Sequence, residues 1–127
     1  MSYGFQSSGL QEAAEACSDL IHQLGAAEQS DSKADADSAL QGMTNVKGMI
    51  LTAGQNAHDS SFKDAANSAA NFLEQAQASV GEIQNSLDDE RINPGHGSQK
   101  STREGLYSQA IALVANAQAT LLTVANG

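Results

Sequence analysis

Residues 61–88 read SFKDAANSAANFLEQAQASVGEIQNSLD. Along that stretch Phe62, Ala66, Ala69, Leu73, Ala76, Val80, Ile83 and Leu87 recur at alternating steps of four and three. An α-helix turns once in about 3.6 residues, so this spacing places all of them on one face. Asp59, Ser60 or Ser61 can cap the start by accepting a hydrogen bond from a free backbone N–H of the first turn. The run Asp88-Asp89-Glu90 follows with negative charge at the already negative end of the helix. The spacing predicts a helix over 61–88 with one apolar stripe, and such a stripe needs other helices to cover it.

The same alternation recurs on both sides. Over 8–25 it runs through Leu10, Ala14, Cys17, Ile21 and Leu24, with Ser8 and Gln11 as a capping box and Gly25 as a stop. Over 32–57 it runs through Ala39, Met43, Val46, Ile50, Ala53 and Ala57. Asp31 or Ser32 can cap that segment, and Asp35 and Asp37 suit the positive end of its dipole. Over 101–125 a second capping box, Ser101-Thr102-Arg103-Glu104, precedes Tyr107, Ala110, Val114, Ala117, Leu121 and Val124. Four such stripes bury one another most simply in an all-α antiparallel bundle of about four helices. The expected organisation is a single domain over 1–127, with a Gly-rich basic loop at 88–100.

Composition agrees with helix. The 127 residues include 22 Ala, one Pro and no Trp, which favours helices over pleated sheets. Small core residues let helix axes approach toward the lower end of the usual ~8–10 Å. Gly42, Gly48 and Gly81 are candidate points of close approach. An Ala-rich core also buries less apolar area per residue, so packing on a partner or a second copy would add to stability.

Fifteen acids against six Lys and Arg give a net charge of −9, which disfavours nucleic acid and anionic membrane surfaces. The single cysteine excludes an intramolecular disulfide. No run of uninterrupted apolar residues reaches the length of a membrane span, so no membrane insertion is expected. The opening Met-Ser-Tyr-Gly-Phe-Gln-Ser-Ser lacks a charged region and a long apolar core, so no cleavable signal is expected either. The expected location is cytoplasmic, or secreted without a cleavable signal peptide.

No catalytic constellation emerges. Gly95-His96-Gly97-Ser98-Gln99-Lys100-Ser101 has Gln99 where a phosphate-binding loop requires Gly. No Glu has a His three residues on, as diiron bundles require. His22, His58 and His96 have no paired spacing for zinc, and Asp31, Asp35 and Asp37 fit no calcium loop. Cys17 falls in a core stripe, about 140° round the helix from His22, and reads as a small buried hydrophobe. No enzyme activity, cofactor or metal is expected.

The candidate contact residues are of two kinds. Arg91, His96, Lys100 and Arg103 gather basic charge around the Gly-rich loop. That loop can meet an acidic partner, or it can balance the adjacent Asp88, Asp89 and Glu90. Phe5, Phe62 and Tyr107 contribute to an interface if exposed and to the core if buried. The expected function is a non-catalytic helical protein–protein interaction module whose partner is another helical protein or itself, as a homo- or heterodimer. An intracellular adaptor bundle is one alternative. A small-ligand-binding bundle with a pocket lined by Met43, Met49 and Phe72 is another.

Residues 8–88 also resemble the small, leaderless, Ala/Gln/Ser-rich helical proteins of the WXG type, exported by bacterial type VII secretion systems. In that family two helices meet at a turn bearing Trp-x-Gly. The matching stretch here is His58-Asp59-Ser60-Ser61-Phe62-Lys63-Asp64-Ala65-Ala66, continuing to Phe72 and Leu73, with Phe62 in the place of the aromatic. The chain has no Trp, and neither Tyr3 nor Tyr107 has an acid four residues on, as the family's Tyr-x-x-x-Asp/Glu export signal requires. A fourth helix also exceeds the usual hairpin. The resemblance implies pairing with another helical protein or with itself, and association with a secretion apparatus.

Overall fold

The computed structural model describes the backbone of residues 2–126 and the side chains of residues 9–125. It contains α1 (Ser2–Ser30), α2 (Lys33–Asn56), α3 (Ser60–Ile92) and α4 (Lys100–Asn126), and one 3₁₀ turn at Pro94–His96. No strand occurs among the described residues. Each helix packs on its neighbours in sequence, and α4 closes the ring against α1. The fold is the all-α four-helix bundle that the stripes predict.

Most heptad positions form the core, while Ile21, Ala53, Leu87 and Val124, one in each stripe, are only partly buried against it. Leu10, Ala14, Cys17 and Leu24 of α1 are buried, as are Ala39, Met43, Val46 and Ile50 of α2. Phe62, Ala66, Ala69, Leu73, Ala76, Val80 and Ile83 of α3 meet Tyr107, Ala110, Val114, Ala117 and Leu121 of α4 in the same interior. Burial pushes the Cys17 thiol up to about 11, so it stays a protonated, inert hydrophobe at neutral pH.

Helix ends differ from the sequence expectation in ways that have physical causes. α1 starts before Ser8 and runs through Gly25, because its stripe continues to Ala27, which is buried. The turn comes instead at Asp31, whose φ of 51° is left-handed, with its N–H donating to the Ala27 carbonyl at 2.9 Å. Ser32, not Asp31, caps α2, its hydroxyl accepting from the Asp35 N–H at 3.2 Å. Asp59 caps α3, its carboxylate accepting from the Ser61 N–H at 2.8 Å. α3 extends to Ile92 rather than stopping at 88, and Lys33 lies 3.1 Å from Asp88. α4 starts one residue before Ser101, so the Ser101–Glu104 pair lies inside the helix, and the Ser98 hydroxyl accepts from the Lys100 N–H at 3.3 Å.

The tightest close approach is at Gly54, outside the three candidate glycines. A Cβ on Gly54 of α2 would lie 2.7 Å from the Cβ of Ala66 on α3, closer than two carbons can pack. A Cβ on Gly42 would lie 2.8 Å from the movable end of Gln23 and 3.2 Å from Cδ1 of the buried Leu20, whereas Gly48 and Gly81 face open space. Gly54→Ala is therefore expected to lower stability, since overpacking costs roughly 1–3 kcal/mol while the helix-propensity gain is at most about 1. Ala66→Gly in the same chain should recover part of the loss. Gly81→Ala, with nothing to strike, should raise stability by up to about 1 kcal/mol. Urea midpoints for the three variants check both signs.

Candidate functional site

Two regions of the bundle carry more than packing. The first lies where α1 ends, α3 ends and α4 begins. Arg103, in the first turn of α4, is 2% exposed. Its Nε and Nη2 donate to the two carboxylate oxygens of Asp31 at 2.8 and 2.7 Å, and Nη2 also donates to Glu90 at 2.9 Å. Its Nη1 donates to the Ser86 hydroxyl at 3.1 Å, which in turn donates to the Gln99 side-chain carbonyl at 2.7 Å. The Gln99 amide donates to Asp89 at 2.6 Å, and the Gln99 N–H donates to Glu90. Asn93 and His96 complete the cluster on Asp89, at 3.0 and 3.1 Å.

This network sets the charge states of its members. Arg103 holds the Asp31 and Glu90 carboxyls below the usual carboxylate range, and the hydrogen bonds from His96, Asn93 and Gln99 do the same for Asp89. Asp31 and Glu90 in turn raise the guanidinium's pKa. Three donor nitrogens of Arg103 are thus committed to partners inside the chain. The cluster is built as a clamp.

One turn further along α4, Tyr107 is fully buried, and its hydroxyl has no hydrogen-bond partner among the described residues. Burial, followed by the nearby charges of Asp31 and Asp35, pushes its pKa up to about 12, so it remains a protonated donor facing no acceptor. An unsatisfied buried hydroxyl costs roughly 1–3 kcal/mol of desolvation. Tyr107→Phe is therefore expected to raise stability by on the order of 1 kcal/mol, read as a higher thermal midpoint.

The positions proposed for partner contact now divide. Arg103, Phe62 and Tyr107 are interior, at 2, 6 and 0% exposure, which corrects the expected place of Arg103 on the loop surface and, of the two roles open to Phe62 and Tyr107, assigns them to the core. Phe62 fills the α3 stripe, Tyr107 the α4 stripe, and Arg103 is drawn in by its carboxylates. Arg91, His96 and Lys100 are exposed. Arg91 lies 3.7 Å from Asp88 and His96 is bonded to Asp89, so the basic loop faces the acids at the end of α3. Phe5 lies outside the described side chains. Met43, Met49 and Phe72, the lining offered for the small-ligand alternative, do not gather in one cavity: Met43 is in the core, Met49 is 41% exposed, and Phe72 is half-buried. Shallow grooves lie between α2 and α3 beside Leu51 and Asn67 and between α1 and α4 beside Gln118 and Leu122.

The second region is the outside of α4. From Gly105 to Asn126 the helix contains no charged residue. Ser108, Ala112, Ala115, Asn116, Ala119 and Thr123 are exposed along its outer face. Ile111 and Leu122 flank that strip on one side and Leu106 and Leu113 on the other, all half-buried against the core. By length and composition alone α4 could cross a membrane, although no uninterrupted apolar run marks it, and only 22% of its apolar window is buried in the bundle. Polar residues such as Gln109, Asn116 and Gln118 break the run without adding charge. The absence of charge from Gly105 onward is a signal that was available in the sequence, but a search for stripes and catalytic motifs does not look for it.

Comparison of the chain with protein-family models, curated proteins and solved structures found no match.

Removing the Arg103 side chain tests the clamp. Arg103→Met is expected to cost on the order of 3 kcal/mol, because it leaves two carboxylates facing each other without their cation. The pH dependence should change as well. Asp31 and Glu90 are held below their unfolded values, so their contribution is fully present above about pH 5 and is lost as pH falls through the carboxylate range. The acid limb of a stability-versus-pH curve should therefore be shallower in Arg103→Met than in the parent.

Proposed function

We propose that this chain is a non-catalytic helix–helix interaction module whose binding surface is the outer face of α4. The observation that carries this reading is the contrast between that face and the rest of the molecule. The chain has a net charge of −9, yet its last helix presents no charge from Gly105 onward. An uncharged face made of small side chains suits close approach by another helix, which gains contact area without desolvating ions. Acids mark the exposed positions of the other helices: Glu12, Glu15 and Asp19 on α1, Asp35 and Asp37 on α2, Asp64, Glu74 and Glu82 on α3. Shallow grooves without a buried polar centre fit a binding module better than an enzyme.

A WXG-like secretion substrate or partner is the finer form of this proposal, and it rests on the likeness of length, composition and hairpin layout around Phe62. Under that form α4 adds a further surface to the hairpin.

A photo-crosslinking side chain at Ala112 or Ala119, in cells that make the protein, tests the coarser reading. Discrete protein adducts are expected from these two positions, and none from matched positions at Asp37 and Glu82. Equal labelling from all four positions, or no adduct from α4, would overturn the proposal.

A further inference from the structure

Given that reading of α4, we infer that the partner is a second copy of this chain, paired antiparallel along the outer face of α4. Ser108, Ala112, Ala115, Asn116, Ala119 and Thr123 are symmetric about the bond between Ala115 and Asn116. In an antiparallel pair centred there, Ser108 meets Thr123 of the second copy, Ala112 meets Ala119, and Ala115 meets Asn116. Every small residue faces a small or uncharged polar one. A two-fold interface requires this self-complementarity, since each residue meets its counterpart twice.

The flanking residues follow the same symmetry. Leu106 comes opposite Ala125, and Leu122 opposite Gln109, so no large apolar side chain faces another across the seam. The backbones can therefore approach toward the lower end of the usual ~8–10 Å. The helix dipoles run in opposition, the favourable sense for adjacent helices.

Charge selects the face. Two copies that each carry −9 repel, and contact through α1, α2 or α3 would bring Glu15, Asp37 or Glu82 against an acidic neighbour. Contact through α4 keeps every acid after Glu104 out of the seam, because there are none. Lipid is the other candidate occupant of an uncharged apolar helix. Interfacial helices present large apolar side chains to the acyl region and basic ones beside them, whereas this face presents Ala, Ser and Thr with no Lys or Arg. A strip one helix wide falls below the roughly 1,200–2,000 Å² of a standard stable interface, so the dimer is a weak one whose population rises with concentration.

Two double variants at exposed positions read both the face and the direction. Ala112→Glu/Ala119→Glu sets like charges opposite each other in the antiparallel pair. Ala112→Lys/Ala119→Glu sets opposite charges there, but like charges in a parallel pair. Both leave the core untouched, and circular dichroism checks that the helices persist. Sedimentation equilibrium on the full chain over a concentration series is expected to show a monomer–dimer equilibrium for the parent. The Glu/Glu variant should be weaker by roughly tenfold or more, and the Lys/Glu variant at least as tight as the parent, more so at low salt.

A parent that stays at 13.1 kDa at every concentration overturns the pairing. So does a Glu/Glu variant as tight as the parent, or a Lys/Glu variant as weak as Glu/Glu. Parent protein that floats with phosphatidylcholine vesicles, and is released by the Glu/Glu change, would reassign the face to lipid. Crosslinks from Ala112 and Ala119 to a protein of another mass, with a monomeric parent, would sink self-pairing and leave the interaction module standing. No crosslinks at all would remove the module itself.

Discussion

The guanidinium of Arg103 ties the end of α1, the end of α3 and the start of α4 into one cluster, and the axial register of the bundle depends on it. The reason lies in the rest of the core. Faces built from Ala at heptad spacing look much the same one turn up or down, so packing alone discriminates poorly between registers. A bidentate guanidinium–carboxylate pair allows no such freedom, because both N–H···O contacts fail when one helix slides by a turn. The chain sustains a cost for this arrangement. Asp31 sits at φ 51°, a left-handed conformation that disfavours residues with a Cβ by roughly 1–2 kcal/mol. That conformation turns the chain from α1 into α2 while the Asp31 carboxylate engages Arg103.

Stripe positions were legible in the sequence because heptad burial is a local rule. Leu73, Ala76, Val80 and Ile83 had to share a face whatever the remainder of the chain did, and they are all fully buried. Helix ends were less legible, because local signals there compete with tertiary ones. Gly25 is a reasonable stop by propensity, yet α1 passes through it to gain the burial of Ala27. The capping box at Ser101 gave way to an earlier start, with Gln99 held by Glu90, Asp89 and Ser86.

Arg103 shows the limit most clearly. In sequence it is one of a group of basic residues around a Gly-rich loop, and nothing within that loop distinguishes it from Lys100 or Arg91. Its partner Asp31 lies 72 positions away. Only the ring closure of α4 on α1 brings the two together. Position 103 does continue the heptad stripe backward from Tyr107 by four residues, and that spacing was the available sign that its side chain points inward. Gly54 was hidden for a similar reason: its place in α2 is ordinary, and only the position of Ala66 across the helix interface makes a Cβ clash.

Under the proposed pairing, the distribution of charge over the four helices links stability to association. A strongly acidic surface keeps a small domain soluble but opposes contact between copies. Placing nearly all the acids on α1, α2 and α3 while leaving α4 uncharged after Glu104 confines any self-contact to one face and disfavours the others. The same choice accounts for why α4 is uncharged all round after Glu104: its inner face fills the bundle with Tyr107, Val114 and Leu121, and its outer face carries small and uncharged polar residues but no ions. A helix of that kind in a lone bundle would expose Ala and half-exposed Leu for no gain. Covering it adds the apolar burial that the small side chains of the core supply only sparingly.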